Sequence, residues 1–515
     1  MIVVIHDLQK VTQLLIDEQE ITTFNGERVT TVIPKLLVQY HHDLLVWCHQ
    51  SAKDNVAWTS LPELFDLDRK MLSYLPNTNF FPEAIGYIED STSIKVNKKV
   101  TFPTWQMSSY VGGVSTAVLT QMNSSIWKTD NFDYALNSIA KTYQSEGLFC
   151  YSEPKLIVNI DEIREIDQFQ TNFNTLFHFV KEHYKGIWAF LLFFNMLVYE
   201  RKITLGSWLK TFFTKKKNFY KALVFSDIDS NTVGTSQVTI DVIIPTIGRK
   251  KYLYDVLKDL SVQTHLPKNV IIVEQNPTQG SQSELDFINN ETWPFTIKHF
   301  FIHQAGACNA RNMALAQVTS DWIFFADDDI RFENDLISST LQIANHLNKE
   351  VFNLSCLQPN EKKTLLKITQ WPTFGSGCSL VKKKVVEGLK YSLSYEFGFG
   401  EDGDFGMQIR NRGYDVIYLP EPAIVHLKAP MGGFRTKPKL DWHEEPLAPK
   451  PSPTIMLFTL LHKTEQQLLG YKTTLFFKYY RLQSIKNPWS YYKRFQKQWA
   501  VSVKWANKLK ERYEL

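Results

Sequence analysis

Three successive carboxylates, Asp327, Asp328 and Asp329, close the apolar run Trp322-Ile-Phe-Phe-Ala326. Each uncompensated buried carboxylate is destabilising, so three at a strand end call for a cation, a cage of hydrogen bonds or open water. A hard divalent ion takes oxygen ligands and leaves positions free for phosphate, which would answer that need. For an isolated triplet, a solvated acidic turn is the plain alternative. Other reactive side chains lie at comparable places. Arg249 and Arg311 suit bidentate contact with phosphate or a nucleobase. Glu401-Asp402 opens a helix behind a glycine-rich approach (Gly398, Gly400, Gly403) that lets backbone come near a ligand. A carboxylate there, close to a metal and phosphates, could accept a proton at neutral pH.

The elements that must position these groups begin at Val238. Val238–Ile244 reads as a buried strand, and Lys251–Val262 as a helix with Leu253, Val256, Leu257 and Leu260 on one face. Val270–Val273 and Thr296–Ile302 read as strands, Ala310–Val318 as a helix, and Trp322–Ala326 as a central strand. This alternation predicts an α/β domain with a mostly parallel sheet, whose ligands collect at the carboxyl ends of strands. The polar residues stand there: Pro245-Thr246-Ile-Gly248-Arg249, Glu274-Gln275-Asn276 and the aspartate triplet.

Over residues 239–430, under half of the chain, these pieces together resemble the family 2 glycosyltransferases, which have the GT-A nucleotide-sugar fold. IIPTIGR resembles that family's first strand and donor loop, and GACNARNMAL its helix-opening segment, here with Arg311-Asn312. FFADDD resembles its metal-binding aspartate motif. FGFGEDGDFGMQIRNRGYDVIYLPEPAIVH resembles its Glu-Asp motif, helix, final strand and following histidine. The resemblance implies a GT-A type sheet flanked by helices, and metal-dependent, inverting transfer of a sugar. The donor would be a nucleotide-diphosphate sugar, and the acceptor a hydroxyl of a glycan or lipid-linked molecule, as suits polysaccharide biosynthesis at a cell envelope. It implies a divalent ion, Mg or Mn, at Asp327, Asp329 and His426. Pro245, Thr246, Arg249, Glu274, Arg311, Asp327, Asp328, Trp371 and Gly377 would bind the donor. Asp402 would act as base, with Glu401 touching sugar or acceptor.

The chain departs from the family at Glu274-Gln275, where members often carry an Asp pair for the nucleobase. UDP is favoured as the commonest donor type and dTDP is the alternative. A non-catalytic nucleotide-sugar- or glycan-binding scaffold is disfavoured by the intact Asp327, Asp329 and Asp402. A sugar nucleotidyltransferase would need a glycine-rich basic loop near the N-terminus, which is missing. Met431-Gly432-Gly433 suits a loop that closes over the donor.

At 515 residues the chain has room for two to four domains. The pattern divides it into a mixed α/β unit (1–164), a helical aromatic and basic connector with a polar linker at Ser226–Gln237 (165–237), the glycosyltransferase-like domain (238–437), and a Pro-rich joint with a basic tail (438–515). A net charge of +4 is too small to argue for nucleic acid, and none is expected as a partner. Five scattered cysteines without CxxC spacing suit reduced thiols in a cytoplasm. The N-terminus reads as a strand rather than a signal peptide. The longest apolar run, Gly186–Tyr199, is shorter than the roughly 20 residues a bilayer span requires. Residues 454–515 carry twelve Lys/Arg against three acidic residues, with aromatics threaded between them. That suits a helix lying on an anionic membrane surface beside a lipid-linked acceptor, at the inner face of a cell membrane. A helical cap on the catalytic domain is the alternative.

In the N-terminal unit the expected strands are Ile2–Ile5, Leu44–Trp47 and Leu148–Tyr151, and the expected helices Lys10–Glu18 and Tyr134–Gln144. His41, His42 and His49 read as decoration of a strand rather than a metal site. Gly147 to Pro154 has the same interval as Gly413 to Pro420, and NFDYALNSIAKTYQSEG is similar to GDFGMQIRNRG. Tyr110-Val-Gly-Gly-Val is similar to Phe374-Gly-Ser-Gly-Cys, and Leu44–Gln50 to Trp322–Asp328. These pairs predict a degenerate copy of the same fold, with Cys48, His49 and Gln50 where the metal aspartates would be.

Overall fold

The computed structural model describes residues 1–76, 79–159, 169–216, 218–225, 238–430 and 439–512. The linker expected at Ser226–Gln237 and the closing loop expected at Met431-Gly432-Gly433 lie outside these residues. The chain divides into two compact units, Met1–Ser226 with Lys463–Leu482, and Asp227–His462 with Gln483–Leu515.

The first unit is built on strands β1 (Ile2–His6), β2 (Val11–Ile16), β3 (Gln19–Glu20), β4 (Leu44–His49), β5 (Lys70–Tyr74), β6 (Phe102–Pro103), β7 (Val111–Ser115) and β8 (Phe149–Ser152). They form one sheet in the order β3-β2-β1-β4-β7-β5-β8-β6. The helix expected at Lys10–Glu18 is instead β2, hairpinned antiparallel onto β1. Asp17 and Glu18 both take positive φ, 47° and 68°, in the tight turn to β3. Such a turn twists with the strands it joins, whereas a helix cannot contain it. The helix Phe132–Tyr143 forms close to its expected bounds, with the Asn131 side chain capping the Tyr134 N–H. His41 and His42 are exposed while His49 is buried at the end of β4, so the three form no cluster. Helices Phe173–His183, Ile187–Tyr199 and Leu205–Phe213, expected as a connector, belong to this unit and bury Leu176, Phe177, Phe179 and Leu192 in its core.

The second unit contains β9 (Ile240–Thr246), β10 (Asn269–Gln275), β11 (Thr296–Ile302), β12 (Trp322–Ala326), β13 (Ile330–Phe332), β14 (Val351–Leu357), β15 (Thr369–Gln370), β16 (Cys378–Lys382) and β17 (Ile417–His426). Their order is β11-β10-β9-β12-β16-β14-β17-β13, with β15 paired to β17. The α/β class expected from the sequence holds. The β11-β10-β9-β12 half is parallel throughout, and β16 then runs antiparallel to both β12 and β14. The helix Lys250–Ser261 buries Leu253, Val256, Leu257 and Leu260, as their spacing requires. The C-terminal segment is divided. Helices Pro453–His462 and Pro488–Arg512 belong to the second unit, and Glu465–Leu482 to the first. Among the described residues no helix is long and apolar enough to cross a membrane.

One buried carboxylate sets the entry to the central strand. Asp241, inside β9, accepts hydrogen bonds from the Asn269 amide (2.7 Å), the Thr319 N–H (2.7 Å), and the Ser320 N–H (3.1 Å) and hydroxyl (2.6 Å). Burial alone would raise its pKa, but these donors hold it below the ordinary Asp value. The Thr319 hydroxyl adds a longer bond at 3.4 Å, and removing an acceptor that serves all these donors strands buried polar groups. We expect Asp241→Ala to destabilise the second unit by roughly 2–4 kcal/mol, measured by denaturant unfolding.

Candidate active site

The three aspartates after β12 meet different fates. Asp328 is caged: the Thr246 hydroxyl donates to it at 2.6 Å and Arg249 at 2.5 Å, and the residue is 2 % exposed. Burial still raises its pKa to about 6 against the pull of Arg249. Asp329, 3 % exposed, accepts the Ala429 N–H at 2.8 Å and lies 3.3 Å from both Arg249 and His426 Nε2. Burial pushes its pKa up, yet His426, that N–H and Arg249 together carry it below the ordinary value. Asp327 keeps 36 % of its side chain exposed and accepts from Arg311 at 3.1 Å. Hydrogen-bond cage, side-chain ion pairs and partial exposure to water are thus shared out along one strand end.

Asp327, Asp329 and His426 each offer a ligand atom within 4.8 Å of the others, and they are the one such group among the described residues. His426 reaches the site because β17 pairs with β13, which sets Ile330 opposite His426. Its hydrogen bond to Asp329 raises the imidazole pKa. Two carboxylates and an imidazole beside two arginines are an oxygen-rich set that fits a magnesium or manganese ion.

Across a short stretch of backbone stands the Glu-Asp pair. The Asp327 N–H bonds the Gly377 carbonyl at 3.2 Å, and a Cβ on Gly377 would meet the Asp327 carboxylate at 2.2 Å. Next to it, the Ser376 hydroxyl donates to Asp402, and Tyr391 donates to Ser376 at 2.7 Å. Tyr391 is held by a flat stack on Phe405, 4.2 Å between ring centroids. Asp402 and the aspartate triplet therefore converge on the two sides of Ser376-Gly377. Burial raises Asp402 above its ordinary value, opposed by the Arg311 charge and the Ser376 hydroxyl. Burial together with the charge of Asp402 raises Glu401 to about 7. Glu401 borders a cavity of about 380 Å³, lined also by Ile247, Gln275, Glu396, Phe399 and Trp442.

Several residues of this frame escape a reading of the sequence. Glu396 caps the helix Ala307–Leu315, accepting the Cys308 and Asn309 N–H groups at 3.1 and 2.9 Å. Gly306, at φ 148°, allows that approach, since a Cβ there would lie 2.5 Å from the Glu396 carboxyl. Asp404, which reads only as favourable helix-dipole charge, is buried against His462 at 2.7 Å. Ser376 sits in the segment Trp371–Gly377, whose aromatics and glycines stand out more than its serine. Two expected donor residues are occupied within the unit. Glu274 accepts from Ser283 (2.5 Å) and the Glu284 N–H (3.2 Å), and pairs with His299 (2.9 Å). Trp371 packs at a tilt against Tyr418, 4.9 Å between ring centroids. Pro245 precedes Thr246 in β9, beside the caged Asp328.

Comparison with known proteins gives the same segment a family. Residues 241–392 match the family model described as glycosyl transferase family 2. An uncharacterized glycosyltransferase of Rickettsia conorii is 27 % identical over 152 residues, which is 30 % of this chain and 24 % of that protein. The chain thus spans about a quarter of the length of that curated relative. Among solved structures, S. aureus TarS 1–349 in complex with UDP-GlcNAc is 14 % identical, with a TM-score of 0.35, covering 54 % of this chain and 91 % of that one. S. aureus TarS is 15 % identical with a TM-score of 0.33, covering 45 % and 42 %. Residues 241–392 of this chain thus match a family 2 glycosyltransferase domain, and the curated relative from Rickettsia is likewise named a glycosyltransferase.

Proposed function

We propose that this chain is an inverting glycosyltransferase that moves a sugar from a nucleotide-diphosphate sugar to a hydroxyl of a glycan or lipid-linked acceptor. The reading rests on one observation: a ligand group of Asp327, Asp329 and His426 faces a partly buried Asp402 across Ser376-Gly377. A magnesium or manganese ion held by those three side chains would supply Lewis-acid stabilisation of the departing diphosphate. Arg249 and Arg311 add fixed positive charge, and Arg311, stacked 5.7 Å from the Tyr391 ring, keeps a set orientation. Asp402 takes the proton of the attacking hydroxyl, its carboxylate aimed by Ser376 and Tyr391. Direct attack on the face opposite the leaving group inverts the anomeric centre. Glu401, at the edge of the 380 Å³ cavity, is placed to touch the acceptor or the transferred sugar. UDP is the favoured carrier. The test is a panel of nucleotide sugars scored for thermal stabilisation with and without Mg²⁺ or Mn²⁺. A rise of several degrees that depends on the metal supports the reading, and a flat response across the panel rejects it.

We also propose that the protein works at the inner face of a cell membrane. Support from the tail 454–515 is divided, because Tyr491, Phe495 and Trp499 are buried while Trp489 and Tyr492 stay exposed. A denser patch lies in the first unit. Ile187, Leu197, Val198, Ile203, Phe212 and Phe213 are exposed there, Phe213 by 89 %. Phe190, Trp208 and Phe212 join into one aromatic surface, with ring centroids 6.0 and 5.2 Å apart. Between residues 185 and 221 Glu200 is the one acidic residue, against basic Lys202, Lys210, Lys215 and Lys216 among others. An apolar face rimmed by lysines fits anionic headgroups, and it repels a second copy of itself. We expect the double change Phe212→Ser, Phe213→Ser to lower binding to vesicles containing phosphatidylglycerol by at least about tenfold, read by co-sedimentation. Cutting the chain after Pro453 is a poorer test, because it strips buried Met456, Leu475 and Phe495 as well.

A further inference from the structure

Six strands of one sheet repeat six of the other. The path β1-β4-β7-β5-β8-β6 of the first unit has the same neighbours and the same parallel or antiparallel sense as β9-β12-β16-β14-β17-β15 of the second. Registers agree as well: Cys48 pairs with Val111 as Ala326 does with Cys378, and Leu72 pairs with Tyr151 as Phe352 does with Ile417. This places His49 at the position of Asp327, Gln50 at Asp328 and Ser51 at Asp329. Tyr110 falls at Gly377, three residues along from the match its flanking glycines suggest, because its carbonyl accepts the His49 N–H as that of Gly377 accepts the Asp327 N–H. The correspondence reaches the reacting carboxylate. Asp133, second residue of its helix, accepts from the Ser109 N–H at 2.7 Å and the Ser109 hydroxyl at 2.8 Å, as Asp402 accepts from Ser376.

The donor end of this copy is filled. His49 Nδ1 and the Ser51 hydroxyl, at the two aspartate ligand positions, bond each other at 2.7 Å. Tyr110, where the second unit needs glycine, stacks on His49, and Phe169 packs edge-on against both rings. What stays open is a cavity of about 670 Å³ over the carboxyl ends of β5 and β8. Ser73, Asn79, Gln106 and Ser152 line it, Tyr74 and Phe102 give it apolar wall, and Lys98 and Lys99 stand at its rim. No carboxylate is among its described lining residues. The buried Gln106 Nε2 has no hydrogen-bond partner among the described residues. A donor without an acceptor, aromatic side chains and lysines at a rim whose described lining holds no carboxylate together ask for a hydroxylated anion.

We propose that the first unit is a second copy of the glycosyltransferase fold that has lost donor binding and instead holds an anionic saccharide, bearing phosphate or carboxylate, in this cavity. The assignment does not depend on the reaction proposed for the second unit. It is tested on the full-length chain by titration calorimetry with saturating UDP and Mn²⁺ present, so that the donor site is already occupied. Glucose 1-phosphate and glucuronate are the anionic probes, and maltotriose is the neutral control. At least one anionic probe is expected to bind once per chain, at least about tenfold more weakly after Gln106→Leu and after Lys98→Ala with Lys99→Ala, and unchanged by Asp329→Ala. The phosphate and carboxylate arms say which anion the cavity prefers. Absence of binding by both anions, or binding indifferent to both cavity variants, overturns the saccharide site. A second UDP per chain that survives Asp329→Ala overturns the closed donor end.

Discussion

Asp402→Asn is expected to lower kcat by about 10³-fold, within the range general bases contribute, while leaving donor affinity within a factor of about three. The amide keeps an oxygen for the Ser376 hydroxyl but cannot take a proton. The pH profile makes the expectation specific. Burial raises Asp402 above its ordinary 3.8, and Glu401 lies near 7, so the two carboxyls titrate as a pair. The base is active when ionised, so turnover falls as the pH drops through these values and is full above them. In Asp402→Asn this acid limb should change shape, because one member of the pair no longer titrates. Full activity in the variant, or an unaltered limb, removes Asp402 from the reaction.

Asp329→Ala should abolish metal-dependent nucleotide binding and reduce turnover by about 10³-fold or more, since one of the three proposed ligands goes with its charge. It also strands the Ala429 N–H and loosens Arg249, at a further roughly 1–3 kcal/mol of stability. Asp329→Asn separates the two effects. Its amide oxygen can still accept from Ala429, so the fold should keep most of its stability while metal-dependent binding stays lost. Metal-dependent nucleotide binding at wild-type strength in Asp329→Asn would place the ion elsewhere.

The elements were far more legible in the sequence than their partners. An apolar run ending in aspartates identifies a strand end because polarity and charge change abruptly after Ala326, and Leu253, Val256, Leu257 and Leu260 identify a helix by their period. The bonds that tune the site join residues far apart in the chain: Thr246 to Asp328, Ser376 to Asp402, Glu396 to Cys308. No local pattern encodes such pairs, since each follows from which strands become neighbours. The mistaken helix at Lys10–Glu18 has a local cause. Its apolar spacing tolerates either period, and the deciding feature is the two-residue turn at Asp17-Glu18, which carries no glycine or asparagine to advertise it.

The division of the C-terminal segment bears on the order in which this protein can fold during synthesis. Helix Glu465–Leu482 completes the first unit, where Gln467 bonds the Glu89 and Ser91 carbonyls and Thr473 bonds Asn195 at 2.6 Å. Those partners leave the ribosome long before the helix does. At 5–20 residues per second the wait is on the order of tens of seconds, during which the nascent first unit exposes the surface that helix later covers. The first half to emerge therefore stays unfinished until the chain is almost complete, and a chaperone that shields the surface around Glu89 and Asn195 should speed the appearance of native protein.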